Sequence, residues 1–487
     1  MERQRIDDLR AAKLVQHDPA RPDAVAKVHR TGKLTARERI AELIDPGTEV
    51  EYGSIAAMDP DGHWVAEAGG IDYVATIDGQ AVIVSSTDYT DHGGGYGAGR
   101  LERLFALARE HRWPVVFFVD GGGSRARHPR VGMDHVELNG PYGPYQLFDG
   151  IAELSGWVPT IAIVSGPSFA GHASLAGFSD VVIATPGSSV GMGGPPMVEA
   201  ALGMKLTPNE LAGVEMHEQT GGIDLLVDDE HQAIAAAKRY LSYYRDQGSG
   251  SPSPGAADIG DLVPETGPYD MVPVVRALVD EGSFFELRPV FAGSVLTGFA
   301  RMDGRSVGIL ASQPAVGDGM IDESAATKVG RFVELCDAHE LPIISLVDTP
   351  GCVTTWPAPV GERADGEQAD GSPSTVTERG VTRWHTRPVI AHQHRSVPLF
   401  SVQIRQAHDM GSQIMSGSAN ARSVPVMAVA WPTVEIGHVD GFSATRHVNA
   451  HDDVIEPVET RERIVRLLRH IPRSLERPSK KHPIDTW

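Results

Sequence analysis

The sequence predicts an α/β protein made of two tandem copies of one unit, and three observations carry that reading. Residues 69–84 read as a strand, a tight turn at Asp78-Gly79 and a returning strand; residues 297–310 repeat the pattern around Asp303-Gly304. Each copy then has an amphipathic helix ended by proline and an apolar strand closing on aspartate: 101–112 before Pro114 to Asp120, and 325–340 before Pro342 to Asp348. Turn aspartate and strand-end aspartate lie 42 residues apart in the first copy and 45 in the second, the mark of a duplication. Finally, the Gly-, Ser- and Pro-rich stretch 248–257 reads as a linker, dividing the chain into domains at 1–247 and 258–487.

The remaining elements follow in the same order in both copies. The amino-terminal helix Arg37-Glu38-Arg39-Ile40-Ala41-Glu42-Leu43-Ile44 stops at the turn Asp45-Pro46-Gly47. A Val-Pro pair introduces another apolar strand at 158–164 and again at 397–404; each runs through small residues into a helix, and the short strands 181–184 and 426–430 follow. Strand, helix, strand at these lengths implies right-handed crossovers on layered sheets.

Composition narrows the function class. A 487-residue chain has room for two cores. Hydrophobic residues at 41% and charged residues at 22% are those of an ordinary globular protein. A net charge of -21 leaves no basic excess for nucleic acid. The charged amino terminus has no signal-peptide core and no window resembles a membrane span, so the expected setting is cytoplasmic. Cys336 and Cys352 alone make neither a disulfide framework nor a four-cysteine metal site, and no metal is expected.

Ligands in such units collect where strand ends meet helix starts. Those loops are Gly121-Gly122-Gly123-Ser124-Arg125 and Gly166 to His172 in the first copy, Thr349-Pro350-Gly351 and Arg405 to Ser412 in the second. A helix opening after small residues offers free backbone N–H groups for a developing oxyanion, although close helix–sheet packing also calls for glycine. His172 and His408 sit at matching turns and are candidate acid–base groups or loop caps. Arg125 and Arg405 are read either as anion ligands or as structural ion-pair partners. Glu378, Arg383, His385 and Arg387 cluster after a Pro- and Asp-rich loop at 354–374. Two motifs are set aside: Met204-Lys205-Leu206 lacks the hairpin context of a biotinylated lysine, and the glycine run 93–99 lacks the Lys-Ser/Thr ending of a phosphate loop.

An ordered series of motifs resembles the carboxyltransferase (β) subunit of biotin-dependent acyl-CoA carboxylases of the propionyl- and methylcrotonyl-CoA type. The series comprises Gly32-Lys33-Leu34-Thr35-Ala36-Arg37-Glu38-Arg39-Ile40, Gly93-Gly94 with Gly97, Asp120 to Arg125, Gly319-Met320-Ile321-Asp322, Asp348-Thr349-Pro350-Gly351, Ala430 to Ile436 and Asp453 to Pro457. The resemblance spans about residues 29 to 482. It implies two tandem crotonase-like ββα superhelix domains, a hexameric ring of dimers, and transfer of carboxylate from carboxybiotin to the α-carbon or vinylogous carbon of a small or branched acyl-CoA. The acyl-CoA enolate would be held in backbone oxyanion holes. By position, the first hole maps to Gly171 and His172 and the second to Met410 and Gly411 beside His408. Gly122, Gly123 and Arg125 fall at the acyl-CoA site, and Gly94, Ala170, Asp409 and Gln413 complete the ligand-contacting set. Biotin would arrive on a separate biotin carboxylase/biotin carrier subunit, because neither an ATP-grasp nor a carrier pattern is found in the chain.

The chain departs from that family at Ala170-Gly171-His172 and at His408-Asp409-Met410-Gly411-Ser412-Gln413, where glycines and tyrosines are usual. Asp409 brings a negative charge toward a developing oxyanion, and Gln413 stands where some members carry an acyl-selecting aspartate. Extra residues between Thr354 and Thr377 alter the loop on the biotin side. Two alternatives follow: a biotin-independent acyl-CoA decarboxylase or hydrolase, and a non-catalytic partner in a mixed ring.

Overall fold

Thr35 and Glu38 form a reciprocal cap in the computed structural model of the chain. The Thr35 hydroxyl accepts from Glu38 N–H at 3.1 Å and the Glu38 carboxylate accepts from Thr35 N–H at 2.8 Å. This opens helix α1 (Ala36–Leu43). The structure describes residues 2–66, 69–95, 100–122, 147–245, 250–353, 356–357, 376–377, 381–417, 424–437, 451–472 and 479–486.

The first sheet has eight strands: β1 (Val50–Tyr52), β2 (Gly70–Ile77), β3 (Gln80–Thr87), β4 (Val115–Gly121), β5 (Thr160–Phe169), β6 (Val181–Ala184), β7 (Ser189–Gly191) and β8 (Leu225–Leu226). Their order is β1-β2-β3-β4-β5-β6-β8, with β7 beside the end of β5. The first three run antiparallel and the rest parallel. The second sheet repeats this plan: β9 (Phe285–Leu287), β10 (Val295–Met302), β11 (Arg305–Ser312), β12 (Ile343–Thr349), β13 (Leu399–His408), β14 (Met427–Ala430), β15 (Glu435–Gly437) and β16 (Asp453–Val454). Its order is β9-β10-β11-β12-β13-β14-β16, with β15 beside the end of β13.

Sequence chemistry explains the match. Asp78-Gly79 and Asp303-Gly304 have φ of 48° and 77°, and of 53° and 76°, the positive pair a two-residue hairpin demands. Each turn is gripped by a distant carboxylate. Asp45 accepts from Asp78 N–H at 3.0 Å and Gly79 N–H at 2.7 Å; Asp280 accepts from Asp303 N–H at 3.0 Å and Gly304 N–H at 2.8 Å. The central strands β4, β5, β12 and β13 are buried along most of their length, which is why they read as apolar runs without alternation. Helices α2 (Arg100–His111), α3 (Gly171–Phe178) and α4 (Glu230–Ser242) belong to the first sheet's unit, and α5 (Glu323–Ala338), α6 (Val381–His394) and α7 (Asp409–Ser416) to the second.

The chain forms two compact units, Met1–Ser242 with Ser479–Thr486 and Tyr243–Pro478 with Trp487. The tail 479–486, expected within 258–487, therefore lies in the first unit. There Ile484 N–H donates to the Ser155 hydroxyl at 3.0 Å, and Gly156 meets the His482 carbonyl where no side chain would fit. No helix among the described residues is long and apolar enough to cross a membrane.

Register breaks at one place in each sheet, between Val119 and Gly121 on β4 and between Val347 and Thr349 on β12. At each break one strand-end aspartate faces three residues of the partner strand: Asp120 faces Ser165, Gly166 and Pro167 on β5, and Asp348 faces Ile404, Arg405 and Gln406 on β13. Against each bulge rests a glycine in a left-handed turn: a Cβ on Gly94 (φ 73°) would fall 2.5 Å from the Asp120 carbonyl oxygen, and one on Gly319 (φ 76°) 2.6 Å from that of Asp348. Gly319→Ala is expected to destabilise the second unit by about 2–4 kcal/mol, strain and overlap together. Gly317→Ala, strained but in open space, serves as the comparison with only about 1–2 kcal/mol; urea midpoints separate the two.

Candidate active site

Each sheet ends a long strand in a sharp corner that starts a helix. In the first unit β5 ends at Phe169, Ala170 takes φ 53°, ψ −120°, and α3 begins at Gly171. In the second β13 ends at His408, Asp409 takes φ 46°, and α7 begins there. A positive φ in a non-glycine residue costs roughly 1–3 kcal/mol and persists only where its surroundings hold it. At the first corner, Ala170 N–H donates to the Gly191 carbonyl at 3.1 Å and Ser174 N–H to that of Ala170 at 2.9 Å. At the second, the Ser412 hydroxyl donates to the Asp409 carbonyl at 2.9 Å. The strain turns the first N–H groups of each helix, those of Gly171 and Met410 among them, into positions with no intrahelical acceptor.

The bulge register aligns the corners. Ser168 lies opposite Gly121, and Ala407 opposite Thr349, so Ala170 corresponds to Asp409, Gly171 to Met410 and His172 to Gly411. The expected equivalence of His172 and His408 is therefore corrected, because His408 occupies the place of Phe169. Two loop histidines near a repeated strand end look equivalent in one dimension; the bulge count separates them by three residues.

Around the first corner the structure gathers Gly94, Gly122, Ala170, Gly171 and His172. Gly122 N–H donates to the Gly93 carbonyl at 3.2 Å. The His172 ring lies over the Gly121 α-carbon, where a Cβ would come within 2.6 Å of Cε1. His172 is 0% exposed, and burial pushes its pKa down to about 4, against a hydrogen bond with the Gly94 backbone. The imidazole is thus neutral at physiological pH. Gly123, Arg125 and the glycine run 96–99 lie outside the described residues.

The second corner is closed differently. A Cβ on Gly411 would meet the Gly351 α-carbon at 2.7 Å, so two backbones touch there. Met410 is half-buried, while Gln413 is exposed on α7. Burial first, and then the charge of Asp409, pushes the Cys352 thiol up to about 12, so it is no thiolate nucleophile. His408 is half-buried, with an Nε2 that has no partner among the described residues. Arg405 proves structural: its Nε donates to Asp348 at 2.8 Å, its terminal nitrogen to the carbonyls of Pro264 and Gly267 at 3.0 Å each, and the guanidinium lies over Tyr269. In the cluster after the long loop, His385 is buried and bonds the Ile321 carbonyl at 3.1 Å, Arg383 is exposed, and Glu378 lies outside the described residues.

Lys328, in the sequence only a position of the family-like helix that follows Gly319 to Asp322, proves to be buried. Its ammonium, on the buried face of α5, donates to the carbonyls of Arg288 (2.8 Å), Phe291 (2.8 Å) and Val295 (2.7 Å). Burial pushes its pKa down to about 7 while Glu286 and those carbonyls hold the proton. A lysine among Ala325, Val329 and Phe332 at helical spacing was the available signal.

Comparison with known proteins places this geometry. Residues 27–358 match the carboxyl transferase domain. The chain belongs to that family. It is similar to a propionyl-CoA carboxylase beta chain from Saccharopolyspora erythraea, 33% identical over 85% of this chain and 76% of the relative. It superimposes on the hexameric transcarboxylase 12S, with methylmalonyl-coenzyme A and methylmalonic acid bound in that structure, at a TM-score of 0.79 and 27% identity, covering 99% of this chain and 98% of the other. It also matches a single-chain, multi-domain long-chain acyl-CoA carboxylase at a TM-score of 0.78 and 32% identity, covering 95% of this chain but only 50% of that one. The chain therefore spans about half the length of that enzyme. The two sheets are tandem crotonase-like domains, and the chain is a carboxyltransferase.

Because the unfolded chain protonates the His172 imidazole near 6.5 and the folded chain only near about 4, stability is full above that window and falls as pH drops through it. His172→Gln is expected to shrink the loss between pH about 7 and about 4 by roughly 3 kcal/mol, read from urea titrations at the two pH values. Arg405→Met, which strands the buried Asp348 carboxylate, is expected to cost about 3–5 kcal/mol, with Asp348→Asn in the same background recovering part of it.

Proposed function

We propose that this chain is the carboxyltransferase subunit of a biotin-dependent acyl-CoA carboxylase, acting on a small or branched acyl-CoA. The observation that carries the reading is the pair of strained strand-to-helix corners, one per unit, each backed by a glycine turn on the strand-end aspartate opposite a bulge, in a chain of this family. Backbone N–H donors of Gly171 and His172 hold the thioester oxygen and stabilise the charge that builds on it as the α-carbon becomes an enolate. The neutral His172 ring and the glycines 94, 121 and 122 shape the wall against which the thioester lies. These donors need no side-chain nucleophile, which agrees with a buried neutral imidazole and a protonated Cys352.

The second corner fits the biotin ureido group, because its donors are neutral backbone N–H groups of Met410 and Gly411 set between closely packed backbones. Carboxybiotin, when bound, supplies the carboxylate. Asp409 disfavours excess negative charge at that corner and so favours a neutral ring system over an anionic ligand. Two of the named relatives are a propionyl-CoA carboxylase beta chain and a hexameric 12S subunit that holds methylmalonyl-coenzyme A. They support a short acyl chain, a separate biotin carboxylase/carrier partner and a hexameric ring of dimers here, and a long-chain acyl-CoA in the panel tests the choice against the third.

The test is ATP- and bicarbonate-dependent carboxylation of a panel of acyl-CoAs by the full chain with candidate biotin carboxylase and carrier subunits. Product that requires the biotinylated partner is the expected result. Partner-free consumption of a malonyl-type CoA, without carboxylation, would replace this reading with a biotin-independent one. Silence in both, with stable binding to a related β subunit, would make the chain a structural partner.

A further inference from the structure

Asp120 and Asp348 hold the same place in the two sheets, yet their carboxylates are satisfied in different ways. Each takes the same backbone bond from the preceding strand: Asp120 N–H donates to the Thr87 hydroxyl at 2.8 Å, Asp348 N–H to the Ser312 hydroxyl at 3.1 Å. Asp348 is then saturated within its own unit by Arg405 Nε at 2.8 Å, the Tyr269 hydroxyl at 2.8 Å and Gln406 N–H at 3.1 Å. The residues that match Arg405 and Gln406 in the first unit are Gly166 and Pro167. Glycine brings no cation and proline no N–H. Nor is there room for a side chain, since a Cβ on Gly166 would fall 2.1 Å from Asp120 Oδ1. Asp120 Oδ1 is buried with no hydrogen-bond partner among the described residues.

The missing cation comes from the amino-terminal segment. Arg39, 3% exposed, reaches Asp120 Oδ2 at 3.3 Å, with Lys33 at 3.8 Å. Arg39 is itself held by Glu230, through Nε at 2.8 Å and a terminal nitrogen at 2.6 Å, and the other Glu230 oxygen accepts Leu34 N–H at 2.5 Å. Two cations face two carboxylates, so the cluster is neutral only when complete. It also borders a cavity of about 310 Å³ whose walls include Lys33, Arg39, Thr87, Asp120 and Pro167. Charge pairing therefore holds the Asp120 carboxylate on the cavity side, while Gly166 packs against its other face.

We infer that Arg39 is a positioning residue for the acyl-CoA site: it neutralises Asp120 and thereby fixes the bulge on which Gly94, Gly122 and His172 are assembled. This rests on the proposed assignment of the first corner to acyl-CoA. Loss of Arg39 leaves a net negative charge in the wall where the enolate oxygen develops its own, and it frees the bulge that sets the glycine turn. In the second unit the same carboxylate is held without help from residues 33–39, so the dependence is confined to the first site.

The test is a double-mutant cycle on the full chain, reading both propionyl-CoA affinity by calorimetry and the urea unfolding midpoint. Arg39→Met is expected to weaken propionyl-CoA binding by about tenfold or more and to lower the midpoint. Arg39→Met with Asp120→Asn removes the charge stranded at the bulge, though not that of Glu230, and is expected to restore affinity to within roughly threefold, together with part of the midpoint. Where Arg39→Met does not fold, Arg39→Lys with and without Asp120→Asn gives the same comparison, because lysine keeps the charge but cannot span both carboxylates. A double variant as weak and as unstable as the single one would overturn the brace, as would a folded Arg39→Met that binds like wild type. A wild-type chain that does not bind propionyl-CoA would instead sink the functional assignment, while the unfolding midpoints still decide whether Arg39 and Asp120 are coupled.

Discussion

The contact between a left-handed glycine and the carbonyl of a strand-end aspartate governs both halves of this molecule. A parallel sheet buried on both faces gives its strands no freedom to drift, so the two extra residues that β5 and β13 carry opposite Asp120 and Asp348 fix where the loops beyond begin. Gly94 and Gly319 then approach those bulges to distances that no side chain allows. The helix-starting corners at Ala170 and Asp409 end the next strand in each sheet, β5 and β13, and their strain is held by that frame. Within each unit the bulge register sets where the first N–H groups of the helix stand.

On this shared frame the two corners have diverged chemically. The first seats a neutral imidazole against Gly121, so no side-chain charge lies there. The second replaces that ring with Gly411 on Gly351 and places Asp409 beside a thiol that stays protonated. Backbone donors tolerate such replacement because their direction is set by the corner and not by the side chain. The departures from the family pattern seen in the sequence thus alter the electrostatics of each corner while leaving its geometry alike.

Buried charge is managed by the same economy throughout. Arg405, Lys328 and Arg39 each lie almost out of water, and each is met by several acceptors at hydrogen-bond distance. Such groups add little stability over an apolar core but strongly penalise any arrangement that separates them. They act as registration pins, for the bulge at Asp348, for the segment 288–295, and for the bulge at Asp120.

The duplication, the hairpin turns and the apolar strands were legible in the sequence because period, turn dipeptides and burial are local properties written residue by residue. Asp78-Gly79 and Asp303-Gly304 announce their positive φ angles, and the runs ending at Asp120 and Asp348 announce central strands. Gly94, Gly122, Gly171 and His172, which the fold gathers at one corner, were legible as a motif set. Their protonation and pairing were not. Whether Arg405 meets a ligand or Asp348, whether His172 pairs with His408 or with Gly411, and which cation serves Asp120 all depend on bulge register and on residues more than fifty positions apart. A linear sequence states which groups are present; only the folded chain decides which of them share a low-dielectric space, and there the energy of a charge is set by its neighbours.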